Sequence, residues 1–153
     1  MYDEAQQRRA GQLATDYLLR ATESLNLALD GDLTKGLVFL GVVQANARPA
    51  DPPRWQDAAD DAPLSCDDRR RPISGGALAA SLNIPTETVR RKVKALITAG
   101  YLRRMNGGLV APSEALERPE VLRMIRANYL NLRRLFSQLR GLGIDLTSEA
   151  EPV

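Results

Sequence analysis

The sequence predicts a mainly α fold that carries one small β-hairpin. Three observations predict it. Between Thr86 and Ile97 the apolar residues Val89, Val93, Leu96 and Ile97 recur in steps that line one face of a helix. Leu122, Ile125, Tyr129, Leu132, Phe136 and Leu139 follow at spacings of 3, 4, 3, 4 and 3, a heptad seam on a second, long helix. Between these two helices, Asn106-Gly107-Gly108 separates two short runs of strand formers, which is a hairpin signal.

The chain divides into five stretches: 1–47, 48–68, 69–112, 113–143 and 144–153. In the first, residues 1–12 are polar and are expected to fray. A helix is predicted over about 13–29, apolar at Leu18, Leu25 and Leu29, with Ala14, Ala21 and Ala28 as close-packing sites. Asp30-Gly31-Asp32 breaks it, and Asp32 can cap a second helix over 33–47. That helix is apolar nearly all round. It fits a core helix, or one shared with a dimer interface or an effector pocket.

Residues 48–68 hold four prolines and a run of aspartates, and no secondary structure is assigned there. Within them Trp55 reads as a packing anchor or as a contact with a partner subunit or ligand. Cys66 reads as an incidental thiol.

In 69–112 a short helix is predicted over 74–82, with Ser74 as N-cap. Ala77, Leu78 and Leu82 are expected to face inward, and Ala79 and Ala80 to allow close packing. The turn Asn83-Ile84-Pro85 follows, with Ile84 as a buried plug and Pro85 preset for a helix start. On the next helix Glu87, Arg90, Arg91, Lys94 and Thr98 are left pointing outward. Gly100 is the expected C-cap. Residues 101–104 read as a strand and Leu109-Val110 as its return.

In 113–143 Ser113 can cap a short turn through Glu117. Pro119 then sits in the first turn of the long helix, where its missing N–H costs nothing. That helix runs to about Arg140 and ends at Gly141 and Gly143, roughly 33 Å at 1.5 Å per residue. Leu130 and Leu135 widen its seam. Two readings of the seam stand: packing on the first helices and on the same helix of a second chain, or an intramolecular bundle. The tail, 144–153, is acidic and expected to be loose.

Composition bounds the function. A chain of 153 residues with 44% hydrophobic and 26% charged residues is expected to be one ordinary globular domain, or one domain with extended arms. There is no His, which removes the commonest general base and metal ligand, and the single Cys excludes an internal disulfide framework. No cofactor is expected and no enzyme, since no nucleophile motif or metal cluster is present and neither glycine pair forms a phosphate loop. The N-terminus has acids and no apolar core, and the longest apolar run, 37–43, is too short to span a bilayer. A cytoplasmic protein with no membrane partner is expected.

The net charge of +2 hides an asymmetry. Residues 1–68 carry 6 bases and 12 acids, while 69–153 carry 15 bases and 7 acids, a swing from −6 to +8. A basic half of this kind suits a nucleic-acid partner.

The stretch 73–112 resembles the winged helix-turn-helix of bacterial transcription regulators. The resemblance rests on Leu78-Ala79, Leu82-Asn83-Ile84, Thr88-Val89-Arg90-Arg91, Leu96, Ala99-Gly100-Tyr101-Leu102 and the Gly107-Gly108 turn. Its local pattern is similar to GntR-type regulators. Its placement, with helices on both sides, is similar to the MarR type. It implies a winged helix-turn-helix with a small hairpin wing, flanked by N-terminal helices and a long C-terminal helix. Arg69-Arg70-Arg71 with Pro72-Ile73 would then form a lead-in strand paired with the wing. The three arginines could reach a DNA backbone or pair with the acidic loop.

The resemblance further implies that the second helix enters the major groove. Thr86, Glu87, Arg90 and Arg91 would then meet base edges, and Ser74, Thr88 and Lys94 phosphates. Arg103, Arg104 and Asn106 would lie along the backbone or adjacent minor groove. The wing is shorter than the MarR type and lacks its Asp-x-Arg pair, which favours backbone contact.

The function this implies is a homodimeric, sequence-specific regulator bound to double-stranded DNA. Its dimerisation residues are Leu122, Ile125, Tyr129, Leu132, Phe136 and Leu139, and any small-molecule effector would sit between the flanking helices and the winged domain. The alternative is a winged-helix module that binds protein and not DNA.

Overall fold

A computed structural model of the chain describes residues 3–47 and 70–144. Trp55, Cys66, Arg69, the proline-rich acidic stretch and the acidic tail lie outside the described residues. The elements are α1 (Glu4–Ala28), α2 (Leu33–Ala47), α3 (Gly75–Leu82), α4 (Thr86–Thr98), β1 (Arg103–Met105), β2 (Gly108–Val110), α5 (Ser113–Leu116) and α6 (Pro119–Gly141). The fold is mainly helical with one two-stranded antiparallel hairpin.

Helix α1 starts nine residues earlier than expected. Its first turns carry good helix formers (Glu, Ala, Gln and Arg), and Asp3 caps them by accepting from the Ala5 N–H at 3.2 Å. Tertiary contact adds to this, because the Gln6 amide donates to the Leu142 carbonyl at the far end of α6. Polarity alone suggested fraying. Leu25 and Leu29 are buried as expected, but Leu18 faces outward.

Asp32 caps α2 by accepting from the Lys35 N–H at 2.9 Å. Helix α2 lies at the centre of the fold and packs on α1, α3, α4 and β2. Its Val38, Phe39 and Val42 share one core with Leu25, Leu29, Leu78, Val89, Val93, Leu96, Leu102, Leu109 and Val121. Burying each such side chain stabilises the fold by about 1.5–3 kcal/mol.

Ser74 caps α3 by accepting from the Ala77 N–H at 3.1 Å. Leu78 and Ala79 are the buried residues of this helix, and Ala77 is exposed, contrary to expectation. The helix is only eight residues long, so its buried face spans little more than a single turn. Asn83 ends it in the left-handed conformation, and Ile84 packs half-buried against the core.

Helix α4 closes as predicted. Gly100, at φ +79°, donates to Ile97, and Tyr101 donates to Leu96, which together form a Schellman ending. Tyr101 and Leu102 are therefore buried closing residues, and the strand begins only at Arg103. Met105 pairs with Gly108 across a two-residue turn, with Asn106 at φ +49° and Gly107 at φ +77°, a type I′ geometry.

The lead-in pairing is present. Ile73 and Leu109 exchange two backbone hydrogen bonds, of 3.2 and 2.8 Å. Gly108 permits this close approach, because a Cβ there would lie 2.5 Å from Pro72 Cβ. Asn46, 6% exposed, holds the assembly to α2. Its amide donates to the Arg71 and Leu109 carbonyls, and its carbonyl accepts from the Ala111 N–H.

Ser113 does not cap α5. Pro112 occupies the cap position, and the Ser113 hydroxyl instead meets the Arg70 guanidinium at 3.3 Å.

Helix α6 lies antiparallel on α1. Tyr17 donates to Asn128, and Asn131 donates to the Tyr17 carbonyl, so an Asn-bearing face of α6 meets α1. Val121 and Met124 are buried. The intramolecular pairing therefore uses a face beside most of the heptad seam. Leu122, Ile125, Tyr129, Leu132 and Phe136 remain between 37% and 58% exposed. Leu139 differs from the other five: at 9% exposed it is covered within the protomer.

Candidate nucleic-acid interface

One face of α4 is fixed in the core by Val89, Val93 and Leu96, so the opposite face is presented rigidly. Thr86, Glu87, Arg90, Arg91 and Lys94 are exposed on it, and Thr88 is half-buried. The sequence-predicted residues of this helix therefore come together on one surface.

Glu87 and Arg90 are not independent. The Glu87 carboxylate accepts from Arg90 Nε at 2.8 Å and from Nη2 at 2.6 Å. The guanidinium bond to Glu87 holds its carboxyl below the ordinary value. The side chains of Arg91, Lys94 and Arg104 make no hydrogen bond or ion pair with another described residue. Those three charges are thus open to an outside anion.

Arg103 and Arg104 stand exposed on β1, and Asn106 is exposed at the tip. The hairpin follows α4 after only the Gly100 ending, so its bases are tied to the helix by a short rigid link. Ser74 is exposed, but its hydroxyl already accepts from Ala77 as a cap. Only its proton is left to donate to a phosphate.

Two bases of the basic half are structural. Arg70 turns onto the Ala111 carbonyl at 2.6 Å and onto Ser113, so it braces the loop after β2 rather than reaching outward. Lys92 donates to Asp32 at 2.5 Å and ties α4 to the cap of α2. Burial pushes the Asp32 carboxyl up, but the Lys92 ammonium and the Lys35 N–H outweigh it and hold the group below its ordinary value. The signal for Lys92 was present in the sequence: it falls beside Val89, Val93 and Leu96, on the edge of the apolar stripe.

A second brace had no pattern to reveal it. Arg118 donates to the Ala99 carbonyl and stacks over the Tyr101 ring at 4.1 Å, while the Tyr101 hydroxyl donates to Glu120 at 2.8 Å. Burial first, and then the Glu120 carboxylate, push the Tyr101 phenol up. Tyr101 also meets Phe39 edge to face at 5.5 Å. The end of α4 is therefore locked to the start of α6.

A cleft of about 490 Å³ opens among α1, α2 and α6, lined by Tyr17, Leu18, Leu33, Leu37, Met124 and Ile125 among others. None of its lining residues comes from α4 or the hairpin, so it lies away from the position expected for an effector. Among the described residues no helix is long and apolar enough to cross a membrane. No three His, Cys, Asp or Glu residues among them converge on a metal-sized site.

Comparison of the chain with protein-family models, with curated proteins and with solved structures finds no match.

Proposed function

We propose that the protein is a sequence-specific double-stranded DNA-binding transcription regulator, with α3, α4 and the β1–β2 hairpin acting as a winged helix-turn-helix. The observation that carries this reading is the exposed Thr86–Arg91–Lys94 face of α4, whose back is fixed in the core. A rigid helix with open cations fits the major groove, where base edges present distinct donor and acceptor patterns. Lys94, Arg103, Arg104 and the Ser74 hydroxyl would meet phosphates and set the register. Arg90 and Arg91 would meet bases.

The same reading makes the regulator a homodimer through the α6 seam, supported by five apolar side chains left uncovered in one stripe. Contiguous exposed apolar surface of this kind marks interaction sites. A two-fold pair would set two α4 helices about one DNA turn apart on an inverted repeat. The reading seats a small apolar effector, where one acts, in the α1–α2–α6 cleft.

In vitro selection of duplex DNA with the purified protein tests the proposal. An enriched inverted repeat is the expected result. Arg91→Ala should weaken binding to the selected site by about 1–3 kcal/mol. If no duplex is retained even at low salt, the domain is a protein-binding module instead.

A further inference from the structure

The Glu87–Arg90 pair constrains what Arg90 can read. A guanidinium carries five N–H groups arranged as forks. Glu87 occupies the side fork, taking Nε–H through one carboxylate oxygen and one Nη2–H through the other. Two Nη1 hydrogens and one Nη2 hydrogen remain. Together they leave the end fork, Nη1–H beside Nη2–H, free and pointing away from the carboxylate.

Two parallel donors match two adjacent acceptors. In the major groove guanine offers O6 and N7 as such a pair, whereas adenine sets an N6 donor beside N7. Cytosine offers a donor there, and thymine a single acceptor beside a methyl group. The end fork therefore selects guanine. A carboxylate brought alone toward the phosphates would be repelled, and chelation by Arg90 offsets that charge.

We propose that Arg90, held by Glu87, reads one guanine in each half-site, and that Glu87 is a positioning residue rather than a base reader. This rests on α4 being the DNA-facing helix. The two side chains are 68% and 74% exposed, so the pair contributes little to stability in water. Its effect comes on binding. The guanidinium arrives already oriented, so less side-chain freedom is lost, and exclusion of water from the groove strengthens the pair. Arg91, one position on and about 100° around the helix, has no such buttress.

The test is the base-preference profile of wild type, Arg90→Ala, Glu87→Ala and Glu87→Gln, each from selection on the same randomised duplex library. Both positions of substitution are exposed, and circular dichroism checks that the variants keep their helix content. Arg90→Ala is expected to flatten one guanine position per half-site by roughly tenfold or more. Glu87→Ala flattens that same position by several-fold and leaves the others intact, and Glu87→Gln, which keeps one acceptor, falls between. If Glu87→Ala flattens a different position, a cytosine, Glu87 reads a base itself and the inference is overturned. Retention of every preference by Arg90→Ala overturns it equally. If wild type selects no sequence at all, the DNA-binding reading fails and takes this inference with it.

Discussion

Asn46→Ala is the most informative single change to the scaffold. The side chain joins the last turn of α2 to three points: the Arg71 carbonyl at 2.7 Å, the Leu109 carbonyl at 3.2 Å and the Ala111 N–H at 2.9 Å. These three losses differ in cost. Arg71 is exposed, so water can replace the amide at its carbonyl. The Leu109 carbonyl keeps its bond from the Ile73 N–H. Ala111 is fully buried, so its N–H is left without an acceptor. An orphaned buried donor costs about 1–3 kcal/mol, and each lost net hydrogen bond about 1 kcal/mol. The sum is about 2–4 kcal/mol, a large share of the ~5–15 kcal/mol that a domain possesses. Urea unfolding followed by circular dichroism should show the midpoint falling by about 1–2 M at a slope of ~2 kcal/mol/M. On the proposed function DNA affinity should fall as well, because β2 and the Ile73–Leu109 bridge lose their anchor. A loss under about 0.5 kcal/mol would refute the view that Asn46 holds the hairpin in place.

Gly108→Ala sets a Cβ 2.5 Å from Pro72 Cβ and 3.0 Å from the Ile73 nitrogen, so the lead-in bridge must open. A loss of about 1–3 kcal/mol is expected in thermal or urea unfolding. For Asp32, the depressed carboxyl contributes stability that is complete above its unfolded value near ~3.9 and is lost as the pH falls through the folded value. Wild type should therefore lose its advantage over Lys92→Met as the pH drops below about 4, read by unfolding midpoints across pH. In the proposed dimer, an Ile125→Asp and Phe136→Asp double variant should sediment as a monomer. Arg126, Arg133 and Arg140 flank the seam along one edge, so if the two α6 helices of that dimer pack antiparallel, like charges meet and added salt should tighten self-association. Looser association at high salt would count against that packing.

Much of the fold was legible because it follows from local chemistry. The caps at Ser74 and Asp32, the Gly100 ending, the Asn106-Gly107 turn and the Pro119 start all need particular residue types at particular positions. The stripes on α4 and α6 were legible from their periods. What escaped the sequence depended on tertiary partners. The early start of α1 is supported by Gln6 reaching α6, and Arg70 is drawn inward by Ala111. Leu139 fits the heptad by spacing, yet it lies buried within the protomer. On the candidate site, the α4 residues were read from their positions. The coupling of Glu87 to Arg90 is a rotamer choice that spacing permits but does not dictate.

The central claim is that the exposed face of α4 binds duplex DNA. Anisotropy titrations of labelled random duplex across a salt series, with wild type and an Arg91→Glu, Lys94→Glu double variant, test it most directly. If Lys94, Arg103 and Arg104 each meet a phosphate in both protomers of the proposed dimer, log K should fall with log salt at a slope of about −5. The double variant should bind at least ~100-fold more weakly at the lowest salt, since it loses two cations per protomer and adds two repulsive carboxylates. Absence of wild-type binding at ~50 mM salt, or equal binding by the double variant, would contradict the claim.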